Sequence, residues 1–101
     1  MTDADHLVTL ADAVRDAHAM YLFRFYGRST IADTSAAQTT LAAAKKALRS
    51  AWLAAPKAVR AEALRCVSTH WVRSGDCPHA AVSSRERLED LINLPYPTET
   101  P

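Results

Sequence analysis

Across most of this chain apolar residues return every third or fourth position, and only Gly27, Pro56 and Gly75 interrupt them before residue 76. That period is the signature of helices with one buried face. No segment alternates with a period of two, so no strand is predicted. Twenty of the 101 residues are alanine, the best helix former, and glycine occurs twice. The fold expected is an all-α bundle of about four helices in one domain over residues 1–94. A mobile, Pro-rich tail follows at 95–101, because LPYPTETP holds three prolines in eight residues.

The breakers place the helices. A first helix should start near Asp3 or Asp5, whose carboxylates suit the positive end of the helix dipole. Its inner stripe is Leu7, Leu10, Ala11, Val14, His18, Tyr21 and Phe25, and Gly27 stops it by taking a left-handed conformation. The loop RSTIADTS leads to a second helix capped by Thr34 or Ser35, with Ala37, Leu41, Ala44, Leu48 and Trp52 inward. Pro56 ends it and opens a third, which buries Val59, Ala63, Leu64, Val67 and Trp71 and runs to Gly75. Ser83-Ser84-Arg85-Glu86 matches a capping box for a fourth helix, with Leu88, Leu91 and Ile92 as its apolar face.

Both cysteines and two of the four histidines fall within CVSTHWVRSGDCPH, residues 66–79. On a helix running to Gly75, Cys66 and His70 share a face, and Cys77 and His79 follow on a loop. Two thiolates and two imidazoles suit tetrahedral zinc, so Cys66, His70, Cys77 and His79 form a candidate metal site. Their order, C-x3-H-x6-C-x-H, is not the usual pairing of two close cysteines with two close histidines. The plainer reading makes Cys66 a small buried hydrophobe and His70 a hydrogen-bonded helix-edge residue, with no cofactor. A Cys66–Cys77 disulfide is a third option, disfavoured in a reducing compartment. No nucleophile motif surrounds either cysteine.

Net charge is +1, but it is segregated. Residues 35–75 carry seven cations against Glu62 alone, a net +6; residues 1–34 net −2 and residues 76–101 net −3. Lys45, Lys46 and Arg49 cluster beside the apolar stripe of the second helix. They suit an acidic protein surface or nucleic acid, or else pair with acids from neighbouring helices. The helix-two to helix-three connection, AAPKA, does not resemble a helix-turn-helix turn.

The end of the first helix is apolar nearly all round. Met20 and Phe23 point away from the inner stripe, which suits either a covering segment or a partner or homodimer interface with Arg24 and Arg28 as its charged rim. His18 reads as a satisfied core residue.

No phosphate-binding loop, carboxylate pair or catalytic motif stands out, so an enzyme is not expected. The acidic N-terminus is unlike a secretory signal, and no stretch approaches a membrane span, so the expected location is the cytoplasm with no membrane partner. The function expected is non-enzymatic protein–protein interaction through helical surfaces, in the style of a phage or mobile-element inhibitor of a host complex. The alternative is a nucleic-acid-binding or regulatory module using residues 45–73.

Overall fold

A computed structural model describes residues 2–27, 30–67 and 83–92. They form four helices: α1 (Asp3–Tyr26), α2 (Ile31–Ala54), α3 (Lys57–Cys66) and α4 (Ser84–Asp90). There is no strand among the described residues, so the all-α expectation holds. The Pro-rich tail and the boundary at residue 94 lie outside them. None of the described helices is long and apolar enough to cross a membrane.

Thr2 caps α1 in a reciprocal box. Its hydroxyl accepts from the Asp5 amide at 3.1 Å, and its own amide donates to the Asp5 carboxylate at 3.2 Å. These bonds hold the Asp5 carboxyl below its ordinary range. At the other end Gly27 does stop the helix, but not by the left-handed route. Its φ is −90° and its ψ −172°, extended backbone open to any residue. Glycine is needed for space instead, since a Cβ there would sit 2.6 Å from the Phe23 carbonyl oxygen.

The start of α2 corrects the sequence reading. Thr30, not Thr34 or Ser35, is the cap, and its hydroxyl accepts from the Asp33 amide at 3.1 Å. Most of the expected loop is therefore the first turn of a helix. Thr30 wins because Asp33 falls in the first turn, where a carboxylate meets the helix dipole favourably. The Thr34 hydroxyl bonds backward instead, donating to the Thr30 carbonyl at 3.1 Å and the Arg24 carbonyl at 3.4 Å.

At the α2–α3 corner Pro56 does what proline chemistry requires. Ala55 before it is extended, with ψ 138°, and Pro56 opens α3. The third helix, however, ends at Cys66 rather than Gly75, with Val67 extended at ψ 151°. The run Val67-Ser68-Thr69 is poor helix material, being β-branched or hydroxyl-bearing throughout. The last carbonyls of α3 find another partner: Arg85 of α4 donates to the Leu64 carbonyl at 2.9 Å. Trp71 and Gly75 lie outside the described residues.

α4 is capped by Ser83, whose hydroxyl accepts from the Glu86 amide at 3.1 Å. The Ser84 hydroxyl donates to the Asp12 carboxylate of α1 and is fully buried.

α1 is the hub: α2, α3 and α4 all pack on it, and α3 also touches α4. The core joins Leu7, Ala11 and Val14 of α1 to Leu41, Leu48 and Trp52 of α2, with Ala63 and Val67 at α3 and Leu88 from α4. Each large side chain fully buried here contributes about 1.5–3 kcal/mol. The stripes predicted for the first three helices are thus largely correct. Phe25 and Ile92 are not, being 54 % and 48 % exposed.

Candidate partner-binding surfaces

The two short helices cover only part of the α1–α2 hairpin. α3 packs near the start of α1, where Thr2, Asp3 and Ala4 face Ala58, Val59 and Glu62 across a shallow groove of about 380 Å³. α4 meets α1 at Asp12 through Ser84, and its Glu86 and Arg87 lie within electrostatic reach of His18. The other end of the hairpin, from Met20 through Gly27 to Ile31, carries the sequence's densest run of large apolar residues.

Met20 is 50 %, Phe23 47 %, Phe25 54 % and Ile31 87 % exposed. Met20 and Phe23 point away from the core stripe, as their helical position dictates. Phe25 is on the stripe by angle, yet more than half of it is exposed. It leans on Tyr21, with ring centroids 5.8 Å apart at 40°. Arg24, beside Met20, is partly exposed and forms no ion pair among the described residues. Arg28 lies outside the described residues. Ile31 is an addition the sequence reading missed, because it had assigned residue 31 to a loop.

The basic surface is smaller than the charge count implies. Arg60 leaves it altogether, being 1 % exposed in the α2–α3 corner. Arg65 is neutralised by both Glu62 carboxylate oxygens one turn before it. Arg73 lies outside the described residues. Lys45, Lys46 and Arg49 on α2 and Lys57 at the start of α3 remain exposed, and the three on α2 form no ion pair among the described residues. The expectation that they pair with acids of neighbouring helices is not met there.

His18 is half-buried between these regions. Burial holds its imidazole below the ordinary range, and the positive charges of Lys45 on α2 and Arg87 on α4 push the same way, against Glu86.

The cysteine–histidine cluster is not assembled by the described residues. Cys66 is a free thiol and is exposed rather than buried as the plainer reading held. Its Sγ donates to the Glu62 carboxylate at 3.4 Å, and chiefly that bond raises the thiol above its ordinary value. His70, Cys77 and His79 lie outside the described residues. No group of three candidate metal ligands occurs among the described residues.

A second groove, of about 330 Å³, lies at the opposite end of the hairpin from the aromatic tip, between Asp3, His6 and Leu7 of α1 and Ala51, Pro56 and Val59 of the α2–α3 corner. Asp3 and His6 are the polar residues of its lining, and the rest is aliphatic. The sequence matches no protein-family model, and no curated protein or solved structure matches the chain.

Proposed function

We propose that this chain is a non-enzymatic protein-interaction protein that binds through the apolar end of its α1–α2 hairpin. One observation carries the reading: Met20, Phe23, Phe25 and Ile31, four large apolar side chains, are each about half exposed or more at one end of a small domain. Exposed apolar patches of this kind mark interaction sites, and aromatic and methionine side chains are enriched there. The test is affinity capture from the source cell with the immobilised chain and its Phe23→Asp variant. A protein retained by the wild type and lost by a folded Phe23→Asp variant supports the reading. Equal retention by both removes Phe23 from the interface and overturns it.

A second reading, nucleic-acid binding, draws on the exposed and unpaired Lys45, Lys46 and Arg49 of α2. Phosphate contacts by three such cations would weaken steeply with salt. A gel shift at low salt, abolished by replacing all three with glutamine, supports it; no shift at low salt sinks it.

A further inference from the structure

The outer face of α1 carries a pattern that is complementary to itself. Asp16, Met20 and Arg24 stand four residues apart and so form one row along the helix. Asp16 is well exposed, its side chain 64 % accessible, and accepts from the neighbouring Arg15 Nε at 3.0 Å through one carboxylate oxygen, leaving the other for a second cation; Arg24 is partly exposed without an ion pair among the described residues. The two charges are eight residues apart, about 12 Å along the axis, too far to meet within one chain. Small residues extend the same symmetry: Ala13 and Gly27, both exposed, lie seven positions to either side of Met20.

We propose that a second copy of this chain is the partner of this face, docked antiparallel with its two-fold axis at Met20. In a symmetric pair the same patch serves both copies, so a residue n positions before the axis meets one n positions after it. Met20 then packs on Met20, with Phe23 beside it. Asp16 of each copy faces Arg24 of the other, so the pair forms twice. Ala13 opposes Gly27, small against small, which lets the backbones approach. Packing rows of i±4 spacing against each other is the commonest helix crossing in globular proteins. Any apolar partner could cover Met20 and Phe23. Only a second copy makes use of opposite charges placed evenly about them. A contact confined to one helix face is at the small end of specific interfaces, so the dimer is reversible and concentration-dependent.

This inference rests on the reading of the apolar end as a binding surface, and it fails separately from it. Sedimentation velocity of the full chain over a concentration series should show a reversible monomer–dimer equilibrium. Asp16→Arg and Arg24→Asp should each shift it to monomer, by at least tenfold in dissociation constant, and the double reversal should restore the dimer. Met20→Glu, which sets two carboxylates face to face on the axis, should also give monomer; helical circular dichroism shows which variants fold. A monomeric wild type at every concentration overturns the second copy, as does a dimer indifferent to both reversals or a double variant that stays monomeric. If the wild type is monomeric but Phe23→Asp still loses a captured partner, the binding surface stands and only the second copy falls. If Phe23→Asp changes neither association nor capture, the surface itself falls.

Discussion

Arg60 lies over the indole of Trp52, its Cζ 5.1 Å from the ring centroid, while its Nε donates to the Trp52 carbonyl at 2.8 Å. One side chain thus stacks on a residue and caps that residue's own backbone. It does so eight positions later, across the corner made by Pro56. The Trp52 carbonyl also accepts the Ala55 amide at 3.2 Å, so the buried guanidinium is its second and charged donor at the end of α2.

Arg60→Ala should therefore destabilise the fold by about 2–4 kcal/mol, through a lost charged hydrogen bond and a cavity beside Trp52. Arg60→Lys should recover less than half, since an ammonium does not stack as a planar guanidinium does. Urea unfolding followed by Trp fluorescence and circular dichroism measures both. A neutral Arg60→Ala would show that the corner holds without it.

The attachment of α4 depends on Ser84, which is fully buried and bonded to Asp12 of α1. A seven-residue helix is too short to stand alone, so its order comes from docking. Ser84→Ala leaves the Asp12 carboxylate short of a donor and should cost about 1.5–3 kcal/mol. Amide exchange in α4 should accelerate more than in α1 or α2.

His18 makes stability depend on mild acid. Its folded-state pKa is depressed, so the unfolded chain takes up the proton first, near the ordinary value of 6.5. Above that pH both states hold a neutral imidazole and the full stability is present. Below it the unfolded state gains, and stability falls until the folded imidazole also titrates. The charged groups that act on it include Lys45 of α2 and Arg87 and Glu86 of α4. Thermal melts should show a loss of stability on going from neutral pH to below 6, and His18→Gln should flatten that slope.

Gly27→Ala normally would be expected to stabilise a chain by restricting its unfolded state. Here the backbone angles permit alanine, but the added Cβ would meet the Phe23 carbonyl at 2.6 Å. The substitution should instead cost about 1–2 kcal/mol, as the end of α1 shifts to relieve the overlap. A rise in melting temperature would show that the helix end yields freely.

Helical period and alanine content were enough to show four helices and most of the core, because a buried stripe must repeat every three to four residues wherever the helix lies. Met20 and Phe23 were legible as outward-facing for the same reason. Boundaries were less so. Thr30 and Thr34 are both acceptable caps, and which one serves depends on how the chain leaves Gly27. The end of α3 was missed because a breaker, Gly75, outweighed the weaker signal of Val67-Ser68-Thr69.

Local spacing thus determined the fold class, the inner stripes and the apolar character of the α1 end. Only the tertiary structure decided which charges and apolar residues reach solvent, since burial depends on neighbours distant in sequence. Arg60 counted as surface charge until Pro56 turned α3 back and put it on Trp52. Phe25 counted as core, yet it is 54 % exposed. Cys66 counted as buried, yet it ends α3 exposed and bonded to Glu62. Each side chain's face follows from its own helix, but its environment is set by the helices packed against it.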